Sequence, residues 1–415
     1  MKFSNFIQYR RILLSRGFLA ALWRSRRNIV ADAYGLPPPS GPFMAELDVT
    51  YRCDARCLMC ERWKNQRGGE ITLHEYRALA EAFGRMGVYL VTIAGGEPLL
   101  REDIFPVIEV FAQHGMRVNV CTNGLSLEEH AGRLCRSGAS FITVSLDGDT
   151  GSTHDKIRGV PGAYEKILKG VKSLLAHPPG KRPRFRVRMT VCNQNVNEVG
   201  RYYRKWHGLA DDVLFQPVHQ CRDAFYTGRD EEAFHIDPHQ LAKQLEGASV
   251  GHDGYLDQLV SGLLEHGTFP AHRCYAGVLM VRIDPWGRVY PCLEQHVCVG
   301  SLRNEHFQTI WNSEVLHLAR RHVAGDGNCR CWYNNTALIS HYAKILRWTS
   351  APKLLAGLRR RSLIRTLNNA PAGSSREPSA SIDPSTTMEK QTKAGIIAVT
   401  EECPGKWISP SRYQS

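Results

Sequence analysis

Three cysteines fall within one short segment, Cys53-Asp-Ala-Arg-Cys57-Leu-Met-Cys60, a C-x3-C-x2-C run. An apolar stretch, Phe43 to Thr50, ends just before it, so the run lies on a loop at the C-terminal end of a predicted strand. Three thiolates on one short loop hold three irons of a [4Fe-4S] cube and leave the fourth iron open to an outside ligand. A loop suits the task because its backbone wraps the cube. A zinc knuckle is the alternative, but structural zinc takes four protein ligands and no fourth ligand stands close in sequence.

Such a loop needs strands to carry it. Short β-branched runs occur at Phe43 to Thr50, Val88 to Ala94, Arg117 to Cys121, Ser140 to Leu146, Arg184 to Val191 and Val213 to Val218. Helical periodicity lies between them, at Leu73 to Met86, Glu102 to His114, Leu127 to Ser137, Tyr164 to His177 and Val196 to His207. The alternation predicts an α/β fold of consecutive parallel βα units, an open doubly wound sheet or a partial barrel, with working residues at the C-terminal strand ends. Six segments follow: a basic arm at 1–42, this core at 43–221, a polar connection at 222–273, a cysteine-bearing module at 274–332, a second basic helical arm at 333–369 and a Ser/Thr/Pro/Gly-rich tail at 370–415, expected to be disordered.

The 415 residues carry 53 Lys plus Arg against 40 Asp plus Glu, and 13 cysteines. A chain this long builds its core without disulfides. An odd cysteine count with no secretory leader predicts reduced thiols in a cytoplasmic setting. The apolar run Gly17 to Trp23 is far below the ~20 residues that span a bilayer, so no crossing is expected. Residues 1–31 and 341–366 hold 14 cations and no acid, and the rest of the chain is nearly neutral. In the first arm Phe3, Ile7, Leu14, Phe18, Ala21 and Leu22 recur at helical spacing. This basic amphipathic helix packs on its own domain, lies on an anionic inner membrane surface or grips an acidic partner such as a peptide; nucleic acid is not the expected partner.

With its triplet after the first strand, the chain resembles the radical S-adenosylmethionine (SAM) enzymes, whose fold is a partial TIM-like (βα)6 barrel. Supporting motifs follow in order. Gly95-Gly96-Glu97-Pro98 after the second strand resembles the segment that meets the SAM amino group, the glycines letting backbone approach the ligand closely. Ser145-Leu-Asp147-Gly148 and Lys156-Ile-Arg158-Gly159 resemble segments near the SAM ribose and carboxylate, and Arg188 on the fifth strand is a weaker SAM contact.

A second set, Cys274, Gly287 and Cys292 in C-x12-G-x4-C spacing, resembles the start of an auxiliary-cluster module called SPASM or its shortened form, twitch. It implies a hairpin turning at Trp286-Gly287 and a helix near Phe307 to His322, after which Cys329 and Cys331 close one further [4Fe-4S] site. A full module has seven cysteines, more than this chain offers, and the final pair is C-x-C rather than C-x2-C. Cys298 is the substitute ligand, and a degenerate module holding zinc or nothing is the alternative. Cys121, Cys192 and Cys135 are expected to pack as small apolar residues. Cys221 near the active-site mouth is a candidate hydrogen-atom donor, and His219 and Glu294 are candidates for facing substrate.

The resemblance implies an oxidoreductase-type chemistry. A reduced cluster donates one electron to the SAM sulfonium, and a 5′-deoxyadenosyl radical takes hydrogen from substrate, with flavodoxin or ferredoxin as electron donor. The first reading of the substrate is a small molecule, because fewer than the roughly 80 residues of a peptide-recognition domain precede the first strand. A ribosomally made peptide is the second reading, and a non-catalytic iron-sulfur or zinc scaffold the third. No general base is assigned.

Overall fold

Along Arg184–Val191 burial alternates strictly: Phe185, Val187, Met189 and Val191 are buried, while Arg184, Arg186, Arg188 and Thr190 are partly accessible. Period two is the mark of a strand with unlike faces. Phe185 packs edge-on against Trp206 of a covering helix, whereas Arg188 and Thr190 line a central cavity. The first strand, Met44–Thr50, is buried at every position, as a strand covered on both faces must be.

The structure is a computed structural model describing residues 15–218, 236–247, 255–270, 273–292, 297–325 and 331–348. Strands β1 (Met44–Thr50), β2 (Leu90–Gly95), β3 (Arg117–Thr122), β4 (Phe141–Ser145), β5 (Arg184–Val191) and β6 (Asp212–Pro217) pair in parallel in chain order and form a partial barrel. Instead of closing on β6, β1 gives its other edge to β7 (Met280–Ile283), in parallel from Met44↔Met280 to Leu47↔Ile283. Antiparallel β8 (Arg288–Tyr290) and β9 (Gly300–Ser301) follow, so the second cysteine-bearing segment extends the sheet of the first.

The helices are α1 (Arg16–Ala33), α2 (Leu73–Met86), α3 (Ile104–Gln113), α4 (Leu127–Arg136), α5 (Gly151–Arg158), α6 (Ala163–Leu175), α7 (Val199–Trp206), α8 (Pro238–Gly247), α9 (Tyr255–His266), α10 (Phe307–Trp311), α11 (Glu314–Gly325) and α12 (Asn334–Trp348). Helix α2 matches its expected bounds because its ends are written locally, with a Thr72/Glu75 capping box and left-handed Gly87 after it. Helix α5 was not anticipated. It is short and polar, without an apolar stripe, and is started by Thr150, whose hydroxyl accepts from Thr153 N. The single helix expected at 307–322 is two helices, because the Ser313 hydroxyl accepts from Leu316 N and begins a second one. The hairpin does turn at Trp286-Gly287, where Asp284 Oδ1 accepts from Trp286 N and Arg288 N and Gly287 adopts φ 83°.

Helix α1 packs against α12 and, through Ile29, against Tyr275, Val278 and Leu279 just before β7. Its buried face is Ala21, Ser25, Asn28 and Ile29, and Phe18 and Leu22 are only partly covered. Of the expected face, Phe3, Ile7 and Leu14 lie outside the described residues, as do His219, Cys221, Glu294, Cys329 and the tail. Among the described residues no helix is long and apolar enough to cross a membrane.

Candidate cluster-binding site

The cysteine loop is clamped from both flanks by backbone. On one side Gly96 N donates to Thr50 O at 2.7 Å and Glu97 N to Arg52 O at 2.8 Å; on the other, Arg56 N donates to Arg158 O at 3.0 Å and Leu58 N to Ile157 O at 2.9 Å. A Cβ on Gly95 would stand 2.3 Å from Thr50 O, and one on Gly96 2.3 Å from Arg52 O. Glycine is needed because two chain segments touch there. The sequence reading gave ligand approach as the only reason, and the close backbone contact adds a second.

The loop closes one end of a cavity of about 150 Å³ at the C-terminal ends of the strands. Cys53, Cys57 and Cys60 line it, with Gly95 and Gly96 after β2, Ser145 at the end of β4, Arg158 at the end of α5 and Arg188 on β5. Three other sequence candidates, Glu97, Pro98 and Asp147, are buried and absent from its wall. The carboxylate of Glu97 accepts from Leu99 N (3.0 Å), Thr122 Oγ1 (2.8 Å) and Asn123 N (2.6 Å), tying β2 to β3. Burial raises its carboxyl to about 7 against these bonds. Asp147 accepts from Thr190 N at 2.7 Å and pairs with Arg158 Nε at 2.7 Å, while Arg158 Nη1 reaches Cys57 Sγ at 3.5 Å. Asp147 thus aims an arginine at the thiols.

The thiols are desolvated. Burial pushes Cys53 up to about 12 and also raises Cys57, the latter against the pull of Arg158. Cys53 and Cys57 as free thiols stay protonated, and a bound metal cluster would supply the positive charge that makes them thiolates. Among the described residues no three Cys, His, Asp or Glu side chains converge on one ion's position, and the triplet surrounds a space. A cube suits that donor set better than a single zinc ion.

The cavity also has residues that the sequence reading missed. Glu46 of β1 lines it, buried, with its carboxylate accepting from Tyr333 Oη at 3.2 Å and Asn335 Nδ2 at 2.9 Å. Burial, then neighbouring Asp48, raises the Glu46 carboxyl, with Arg62 and Arg282 opposing. Asn123 Nδ2 donates to Asp54 at 2.6 Å and lies 3.8 Å from Cys53 Sγ. Arg62, Trp63, Cys121 and Gln216 also line it. A signal for Glu46 existed: two acids, Glu46 and Asp48, stand in a strand otherwise made for a core.

Asp48 joins the two cysteine-bearing segments. Arg282 of β7 donates to it through Nη2 at 2.6 Å and Nε at 2.9 Å, and Arg62 lies 3.4 Å away. Burial alone would raise the Asp48 carboxyl, but the two arginines bring it below its usual range.

Cys274 and Cys292 are buried together against Met44, Ala276 and Met280, at the start of β1. The triplet follows its end, so the seven residues of β1 separate it along the chain from the end of the strand where Cys274 and Cys292 sit. Cys331 is partly exposed, its sulfur accepting from Tyr333 N at 3.4 Å, and Cys298 is in a disulfide. Cys121 and Cys192 are buried and Cys135 is partly buried. Tyr333 therefore connects the second set, through Cys331, to Glu46 in the cavity.

The family model described as Radical SAM superfamily matches residues 47–199, and SPASM, an iron-sulfur cluster-binding domain, matches 274–332. Among curated proteins the chain is similar to an AdoMet-dependent heme synthase of Nitratidesulfovibrio vulgaris, 28% identical over 68% of this chain and 82% of that one. It is also similar to the mycofactocin maturase MftC of Mycobacterium tuberculosis, 24% identical over 76% and 80%. Its fold resembles that of Streptococcus suis SuiB bound to its precursor peptide SuiA, with a TM-score of 0.56 and 14% identity over 78% and 77% of the two chains.

Proposed function

For a chain that belongs to the radical SAM superfamily, with a SPASM iron-sulfur cluster-binding domain, we propose an enzyme that takes hydrogen from a small molecule and oxidises or rearranges it. The observation that carries this reading is one cavity with the cysteine triplet at one end and Glu46, Arg188, Gln216 and Tyr333 also in its wall.

The [4Fe-4S] cluster with SAM supplies reductive cleavage of the sulfonium and thereby a 5′-deoxyadenosyl radical. The chain's residues hold and shield that chemistry. Cys53, Cys57 and Cys60 are the ligands of the SAM-binding cluster, and Cys274, Cys292, Cys331 and Cys329 are those proposed for the auxiliary one, with Cys298, disulfide-bonded in the structure, a substitute only once reduced. Gly95, Gly96, Ser145, Arg158 and Arg188 face SAM from the cavity wall. Glu97, Pro98 and Asp147 support them from behind, Asp147 through its ion pair to Arg158. Glu46 and Tyr333, a buried acceptor and the phenol bonded to it, orient a hydroxyl or ammonium group of the substrate.

Peptide maturation is the second reading, favoured by the names of relatives such as MftC and a subtilosin biosynthesis protein of Bacillus subtilis. The reading also includes a flavodoxin or ferredoxin as electron donor and a peripheral contact of the basic arms with an anionic membrane surface. Anaerobic reconstitution followed by assay for 5′-deoxyadenosine is the test, with deuterated substrates to trace the transferred hydrogen. A reduced, intact triplet cluster that never cleaves SAM sinks the catalytic reading. A short precursor reading frame beside the gene favours the peptide.

A further inference from the structure

Helix α1 is oriented against the usual rule. Its inward face carries two polar side chains, Ser25 and Asn28, both buried. The Asn28 amide donates to Gly41 O at 3.0 Å and Ser40 O at 3.3 Å and accepts from Ser40 N at 3.1 Å. These bonds fix the rotation of the helix about its axis. Its outward face carries Leu19 (51% exposed), Trp23 (58%) and Val30 (36%), and Tyr34 (54%) and Leu36 (57%) follow just past its end. Half of the described large apolar residues that stand exposed lie within this stretch. At 3.6 residues per turn, positions 16, 19, 23, 27, 30 and 34 fall within about 80° of arc, one stripe along the helix.

The stripe is basic as well as apolar. Arg16 and Arg27 are exposed within it, and the Arg27 guanidinium lies 4.7 Å from the Trp23 ring centroid. No acid occurs in residues 1–31. A convex stripe of Leu, Trp, Val and Tyr flanked by arginines fits a plane that is apolar beneath and anionic above. We propose that the outward face of α1, Leu19, Trp23 and Val30 with Arg16 and Arg27, docks this enzyme on an anionic phospholipid surface. The inference rests on the membrane-surface reading of the basic arms and assigns it to one stripe of side chains.

Co-sedimentation of the full chain with vesicles of phosphatidylcholine, with and without phosphatidylglycerol, tests it. Binding is expected only with phosphatidylglycerol present and weakens as salt rises. The variant Leu19→Ser/Trp23→Ser/Val30→Ser and, separately, Arg16→Glu/Arg27→Glu are each expected to weaken binding roughly tenfold or more at an unchanged melting temperature. If both variants bind as the parent does, this face is not the contact, although the broader membrane reading stands. If the parent binds neither vesicle, both fall. Should the apolar variant turn a dimer into a monomer without any lipid binding, a second copy covers the face and the inference is overturned.

Discussion

Asp147 and Arg158 form a buried ion pair, Nε to Oδ2 at 2.7 Å, and the same guanidinium reaches Cys57 Sγ at 3.5 Å through Nη1. A carboxylate that is fully buried therefore acts on the site through the groups it holds, Arg158 and the backbone of Thr190. Asp147→Asn leaves that cation without its partner and is expected to cost roughly 3–5 kcal/mol of stability in denaturant unfolding. Asp147→Asn/Arg158→Met, which removes both charges, is expected to recover part of the loss. Equal stability of Asp147→Asn and the parent would show that the pair positions nothing.

Iron content separates the two cysteine sets. Reconstituted protein is expected to hold about eight irons per chain, falling to about four in Cys274→Ala/Cys292→Ala and to about four in a variant lacking the triplet. Only the second loss is expected to abolish SAM cleavage outright. An unchanged iron count on removing Cys274 and Cys292 would leave the second set without a cluster.

Gly96→Ala places a methyl group 2.3 Å from the Arg52 carbonyl, in a segment that clamps the cysteine loop. Backbone must move to make room, so a loss of roughly 1–3 kcal/mol is expected, with faster loss of iron to a chelator. Gly68→Ala, where no heavy atom lies within 4 Å, is the control and is expected to change neither.

His154 is buried, accepts from Asp147 N at 3.0 Å through Nδ1, and is held down to about 3 by burial first and Arg158 second. Its folded value lies below the unfolded one of about 6.5, so the unfolded chain binds the extra proton first. Stability linked to this group is present above about pH 6.5 and is lost as pH falls toward 3, by up to about 1.4 kcal/mol per pH unit. Urea midpoints of the parent and His154→Gln across that window check it. The variant is less stable at neutral pH, and its profile is expected to be flatter.

The cofactor chemistry was legible in local sequence. A cysteine triplet, a glycine pair and strands of β-branched residues act through spacing along the chain, which folding does not alter. All six barrel strands begin and end within two residues of expectation, and β5 matches at both ends, because its alternation is a local property. Helix α5 escaped because a polar two-turn helix has no period to detect, yet its last residue, Arg158, reaches Cys57 of the triplet.

What only the folded chain decided are the long-range pairings. Glu46 meets Tyr333 and Asn335, and Asp48 meets Arg282, across more than two hundred residues of sequence. No spacing rule reaches that far. A buried acid in a strand signals that a partner must exist, since its desolvation has to be offset, but which partner depends on β7 joining the free edge of β1. The same holds for α1. Its periodicity announced an amphipathic helix, but which face turns inward was decided by the bonds Asn28 makes to the chain beside it.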